Sequence, residues 1–224
     1  MKKAGIVVAV SVLLLLAVGF GVDRVVASVI GRSVSDQIAA ELGDAGSVST
    51  EVHGVPLLTQ AMRGSLDHIT VTMVDVPATP QLRLETVEVQ AYGVSTSTPR
   101  TAESVEATAT LSTQSLQTLL GDPWAIQTEG DALVISVASG LPVEARVTPT
   151  VRDGAVTLDL TSVSVFGVEV SGSSIPQAVR DRVTSLAGSI GELPFGLVPQ
   201  SITVTPTGIE LVASGVDVDL DAPR

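Results

Sequence analysis

The chain has 224 residues, of which 45% are apolar and only 2% aromatic, and its formal net charge is −12. The length fits one large domain or two small ones. The acidic balance argues against nucleic-acid binding, because a phosphate-binding surface needs a basic patch. The absence of cysteine excludes disulfide bonds and thiolate metal sites. The core must therefore be built mainly from aliphatic side chains and alanine.

An uncharged apolar segment over 4–22 follows Lys2 and Lys3. As a helix it would span about 28 Å, close to the hydrocarbon thickness of a bilayer. The flanking charges predict a cytoplasmic N-terminus and an exported remainder. We expect 1–27 to be a signal-anchor or signal peptide and 28–224 to be a single exported domain. The length of the run favours a retained anchor, with a cleaved signal peptide and a buried helix as alternatives.

Apolar residues at every fourth position predict an amphipathic helix over 22–42, which ends at Gly43. We favour packing of its apolar stripe on the domain's own sheet. The alternative is a helix lying on the membrane surface, which normally carries more basic residues on its polar face.

The segment from Gly54 to Gly64, called here the first turn, predicts an apolar connection between two strands. A strand over 47–53 must end before Pro56, because proline donates no hydrogen bond and biases its predecessor to extended geometry. One apolar helical turn follows, and Gly64 then lets the chain reverse. Connections on a protein surface are usually polar, so this one must be buried or must meet something apolar.

Beyond Gly64 the apolar residues alternate with polar ones, which is typical of antiparallel sheet with one wet and one dry face. Asp153-Gly154 and Thr207-Gly208 are hairpin signals. The run 133–138 is apolar on nearly both faces and predicts a central strand.

The alternation changes phase within 66–76, 82–94 and 156–170, in the last case at Thr161-Ser162. A one-residue shift moves the apolar side chains to the opposite face, so these strands should contain bulges or bends. Strong twist from such features would let a long sheet wrap around something.

Two further helices are predicted, over 113–120 and over 176–190. The second is followed by the segment 193–199, called here the second turn, which is apolar and bounded by prolines like the first. The sequence thus has one such turn in each half.

The Gly-x-Pro-Leu-Leu-Thr-Gln stretch, the strand behind it and the later Leu-Pro-Phe-Gly-Leu segment resemble the LmeA-like phospholipid-binding family of actinobacterial envelope proteins. The resemblance covers about Val22 to Leu220. It implies phospholipid binding at the cell envelope, with phospholipase activity credited to the family. It also implies an α+β fold in which an elongated, strongly curved antiparallel sheet wraps around one or two helices, as in tubular lipid-binding proteins. Family members often have phenylalanine where this chain has Leu57.

Catalysis has weak candidates in the sequence. A nucleophile elbow needs Gly-x-Ser-x-Gly, which is absent, and a triad needs a histidine. The two histidines, His53 and His68, flank the first turn, and Ser65 would have to complete the site. The simpler interpretation is that both are ordinary histidines at strand ends. Two histidines and scattered carboxylates predict no metal site and no cofactor.

Lipid binding needs only an aliphatic groove for acyl chains of a phospholipid or lipoglycan. We expect the two turns to form or cap its mouth, and an equally strong alternative is that they complete the core. The predicted lipid-binding residues are Pro56, Leu57, Leu58, Met62, Leu193 and Phe195. The sequence therefore predicts a lipid-binding or lipid-transfer domain on the outer side of the plasma membrane, with an acyl-ester hydrolase and a structural envelope protein as alternatives.

Overall fold

The computed structural model describes residues 46–79, 82–137, 143–170 and 193–221, together with 177, 181 and 183. The elements are β1 (Ser47–His53), α1 (Leu57–Arg63), β2 (Ser65–Thr79), β3 (Leu82–Ser95), β4 (Thr101–Ser112), α2 (Thr113–Leu120), β5 (Trp124–Glu129), β6 (Ala132–Val137), β7 (Val143–Arg152), β8 (Ala155–Val165), β9 (Val168–Val170), a 3-10 turn (Pro194–Gly196), β10 (Val198–Thr205) and β11 (Gly208–Asp219).

The predicted membrane segment 4–22, the predicted helix 22–42 and the boundary at Ala27 lie outside the described residues. Across the part of the chain that is described, no helix combines the length and apolar character needed to cross a bilayer. Of the predicted helix 176–190, only 177, 181 and 183 are described, and all three have helical backbone.

The strands form two antiparallel sheets, so the prediction of a single curved sheet is wrong in this respect. The larger sheet has six strands in the order β1-β2-β3-β4-β11-β10, and the smaller has five in the order β5-β6-β7-β8-β9. The last hairpin, β10–β11, lies beside the much earlier strand β4, and β11 pairs with β4. Alternation along a strand defines its two faces but not its neighbours, so it does not distinguish one sheet from two.

The two sheets meet through α2 and an aliphatic cluster, which we call the intersheet cluster. Ser112 caps α2, its side chain accepting a hydrogen bond from the Ser115 N–H, and the helix ends at Gly121, as predicted. Gln117 on this helix bonds the backbone of Trp124 and Ile126 in β5. The buried members of the cluster include Leu82, Leu111 and Ile209 of the larger sheet, Leu116 and Leu120 of α2, and Leu133, Ile135, Val147 and Val163 of the smaller sheet.

The hairpin and central-strand predictions are confirmed. Asp153 and Gly154 join β7 to β8 with φ of 52° and 72°, the left-handed pair that a two-residue hairpin needs. The turn at 206–207 joins β10 to β11, and Gly208 begins β11. A Cβ on Gly208 would collide with the backbone of Leu111. β6 lies between β5 and β7.

The predicted changes of phase coincide with backbone irregularities. The register between β7 and β8 slips at Thr161, which is the bulge expected at Thr161-Ser162. β2 and β3 change phase beside each other, where Asp75 has a left-handed φ of 56°. Pairing on either side of Asp75 keeps one register, so this feature is a bend and not a bulge.

One face of the six-stranded sheet is apolar along its length, and we call it the apolar face. The register sets its side chains in rows across the strands. Starting nearest the first turn, these rows are Val52–Ile69–Ala91–Val105, then Val71–Val89–Ala107–Ala213, then Met73–Val87–Ala109–Leu211, and finally Leu111–Ile209–Val204. The opposite, polar face carries Glu51, Gln90, Glu88 and Glu106 in the alternate rows.

Candidate functional site

The first turn folds as the sequence predicts, with one side buried and one side exposed. Gly54 has a φ of 99°, and α1 runs from Leu57 to Arg63 and ends at left-handed Gly64. Leu57 is only 3% exposed, whereas Val55 is 64% and Met62 83% exposed. The seven-residue helix α1 therefore has one side chain in the protein interior, Leu57, and another at the surface, Met62.

Gln60 joins this turn to β2 through a hydrogen bond, a role that its sequence context does not indicate. It is 1% exposed, and its Oε1 accepts a hydrogen bond of 2.8 Å from the Asp67 N–H. Its Nε2 has no partner among the described residues and packs against Gly54, where a Cβ would overlap it. A buried glutamine is uncommon enough to mark a structural or binding role, but this signal is not visible without burial.

The second turn packs at the same end of the apolar face. Phe195 adopts a left-handed φ of 59° within the 3-10 turn, and the half-buried Leu193 precedes it. Leu197 lies over Gly215, so that a Cβ there would be 3.0 Å from Leu197 Cδ2. Gly215 pairs with Val105 in the first row.

Both turns thus meet one cluster, which we call the turn-end cluster. Leu57 is a buried member, and Phe195 and Leu197 pack against it from the second turn. Its other buried members are Val52, Leu66, Ile69, Val94, Ala102, Val105 and Val218. The structure therefore brings together Leu57 and Phe195, two of the predicted lipid-binding residues that are 138 positions apart in the sequence.

The remaining predicted lipid-binding residues lie around these two. Pro56 and Met62 are on the exposed side of the first turn, and Leu193 begins the second. Leu58 is part of α1, but its side chain lies outside the described part of the structure.

The middle of the apolar face is less covered than its two ends. Met73, Ala107 and Ala109 are half-buried and belong to neither cluster, whereas the core members of the clusters at either end are buried. Val105 and Leu111 mark the two ends on β4, and six residues of strand separate them by about 20 Å. The alanine side chains on β4 are short, so they fill little of the space above the middle of the sheet.

The two histidines do come together, on the polar face. The ring of His68 stacks between those of His53 and Tyr92, with centroid separations of 4.4 Å on both sides. The Thr70 hydroxyl lies 3.0 Å from His53 Nε2 and 3.4 Å from His68 Nε2. Because cross-strand pairing aligns these three rings, the stack becomes evident only from the strand register.

Ser65 lies apart from this stack. It starts β2 and pairs with Ser95, three residues before His68, which is about 10 Å along an extended strand. Within the described residues no serine hydroxyl is bonded to either imidazole. The hydroxyl between the two histidines belongs to Thr70, and the whole arrangement faces away from the apolar face.

Few charged groups are perturbed in the described structure. Burial, and then the neighbouring His53, lower the pKa of His68 below 6.5. A hydrogen bond from Arg83 lowers the pKa of Asp75, and bonds from the backbone and side chain of Arg100 lower that of Asp221. No group of three or more His, Asp or Glu side chains converges on a metal position within the described segments.

A cavity of about 280 Å³ lies on the smaller sheet and is separate from the turns. It is lined by Ser136, Val137, Val143, Glu144, Ser164 and Gly167. Both a glutamate and aliphatic side chains line it, and none of these residues belongs to the apolar face.

The fold and the site define an antiparallel β protein whose larger sheet presents one apolar and one acidic face, with two apolar turns meeting at one end of the apolar face. The chain belongs to the LmeA-like phospholipid-binding family, whose profile matches residues 21–214. No curated protein and no solved structure matches the chain.

Proposed function

We propose that the protein binds a phospholipid with its acyl chains along the middle of the apolar face, between the turn-end and intersheet clusters. The observation that carries this proposal is the partial exposure of the aliphatic side chains there, since apolar surface in water favours an apolar ligand. Family membership names the ligand class.

The energetics need no polar contact along the acyl chain. Each methylene moved from water contributes about 0.8 kcal/mol, so ten of them offset the ordering cost of a flexible chain. Alanines on β4 leave space for such a chain, with Val89 of β3 on one side and Ala213 of β11 on the other. The two turns form the mouth, where Leu57 and Phe195 line the route inward.

We place this binding on the outer side of the plasma membrane, where it serves transfer or maturation of envelope lipids. The apolar run over 4–22 after two lysines supports export, and the family's ligand supports a role beside a membrane.

The test compares two neighbouring residues that face opposite sides of β4. Ala107→Gln introduces a polar side chain on the apolar face, whereas Thr108→Gln places the same group on the polar face. We expect native mass spectrometry after gentle extraction to find phospholipid on the wild type and on Thr108→Gln, and at least about fivefold less on Ala107→Gln. Circular dichroism confirms that both variants are folded. Equal lipid retention in the two variants, or none in the wild type, contradicts the proposal.

A further inference from the structure

We infer that the first turn is a docking surface for a phospholipid bilayer, with Val55 and Met62 as the side chains that enter it. This inference rests on the proposed function for the identity of the ligand. Val55 directly precedes Pro56, the N-cap of α1, and Met62 lies in the last turn of the same helix, so both belong to the first turn. Their exposures of 64% and 83% are high for apolar side chains in an ordered turn.

The charged side chains around the turn indicate which lipid headgroup charge the docking surface would tolerate. The cation on α1, Arg63, pairs with Asp67 at 3.5 Å, with both side chains more than half exposed at 58% and 59%. This local charge balance, in a chain of net charge −12, suits a zwitterionic lipid surface and disfavours an anionic one. Docking should therefore depend on apolar insertion and only weakly on salt.

The interior side of the same turn belongs to the turn-end cluster. Leu57 follows Val55 by two residues and is buried in the turn-end cluster. Phe195 contacts that cluster from the second turn. The exposed apolar side chains of the turn thus lie within a few residues of the cluster that contains Val52, Ile69 and Val105 of the first row.

The β8–β9 hairpin supplies a matched control on the same molecule. Phe166 and Val168 at its tip are 66% and 65% exposed, similar to Val55. They belong to the smaller sheet and are not part of the turn-end cluster. Exposure and apolar character alone therefore predict the same lipid contact at both places, whereas our inference predicts contact only at the first turn.

The experiment uses the full chain in phosphatidylcholine vesicles. The chain has no cysteine, so Val55→Cys, Met62→Cys and Phe166→Cys each give a single labelling site. A fluorophore at each site is quenched either by nitroxide-bearing lipid or by a water-soluble nitroxide. We expect lipid quenching at 55 and 62 to exceed that at 166 by about threefold or more, with the reverse order for the aqueous quencher. The difference should persist at high salt and weaken when phosphatidylglycerol replaces phosphatidylcholine.

Equal quenching at the three sites overturns the inference, and so does stronger lipid contact at 166. Retention of phospholipid, measured separately by mass spectrometry, distinguishes the two proposals. A protein that retains lipid but keeps residues 55 and 62 in water contradicts docking alone. A protein that inserts 55 and 62 but never retains lipid contradicts the binding proposal and leaves docking standing. Protection of 62 from the aqueous quencher without lipid quenching shows contact with another part or a second copy of the chain and counts against the bilayer.

Discussion

At the scale of single residues, the first turn depends on the close contact between Gly54 and Gln60. Gly54 has a φ of 99°, which side-chain-bearing residues rarely adopt, and the buried Gln60 amide occupies the place of its missing Cβ. Gln60 cannot move aside freely, because the Asp67 N–H holds its Oε1. The turn therefore requires glycine both for its backbone conformation and for its packing.

We expect Gly54→Ala to lower the free energy of unfolding by about 2–4 kcal/mol, from backbone strain and overpacking together. Gly130→Ala is the control, since Gly130 also has a left-handed φ of 64° but has open space around it. That substitution should cost only the strain, about 1–2 kcal/mol. Urea denaturation measures both variants. Equal losses would show that the Gln60 contact contributes nothing.

The histidine stack gives a pH dependence whose sign follows from its structure. Burial and the neighbouring His53 lower the pKa of His68 below 6.5, so the unfolded chain binds protons more readily than the folded one. Stability is therefore full above pH 6.5 and falls as the pH drops through 6.5 towards the lowered pKa. Asp75 and Asp221, whose pKa values are lowered from 3.8, lose their stabilising contribution only in more acidic solution.

We expect the melting temperature of the wild type to fall between about pH 7.5 and pH 5.5. His68→Gln keeps a polar side chain next to Thr70 but cannot titrate, so its melting temperature should change less over the same interval. Differential scanning calorimetry in buffers of matched ionic strength measures both. A wild type with a flat profile, or a variant with an unchanged slope, contradicts this assignment.

At the scale of elements, the sequence predicted local structure well and its assembly poorly. Helix α2, the Asp153-Gly154 hairpin and the bulge at Thr161 depend on capping, turn chemistry and period, which are local properties. The division into two sheets depends on pairings such as β4 with β11, which join residues about a hundred positions apart. Nothing local in either strand selects its partner.

The same distinction applies to the candidate site. The apolar character of both turns was evident from their prolines and aliphatic residues, and Leu57 and Phe195 were predicted from it. Their shared cluster was not, because it needs the return of β11 to the centre of the sheet. The stack of His53, His68 and Tyr92 and the burial of Gln60 likewise follow from register and packing, which are absent from any single stretch of sequence.

At the scale of the whole molecule, the two clusters differ in what they connect. The intersheet cluster joins both sheets and α2 and is closed by buried leucines. The turn-end cluster closes only one end of the larger sheet and connects to an exposed turn. Between them lies the partly exposed middle of the apolar face, whose protection from solvent should depend on what occupies it.

If a phospholipid lies on the apolar face as we propose, removing it should affect the larger sheet more than the smaller one. A ligand present at a hundred times its dissociation constant stabilises the folded state by about 2.7 kcal/mol, so delipidated protein should melt at a lower temperature. Hydrogen exchange followed by mass spectrometry should show faster exchange in β2, β3 and β4 after delipidation, because acyl chains no longer cover their apolar face. Peptides from β6 and β7 are the internal control, since these strands pack on the intersheet cluster. Equal acceleration in both sheets, or a change confined to the smaller one, would place the lipid elsewhere, and adding back phosphatidylcholine should restore protection in the same strands that lost it.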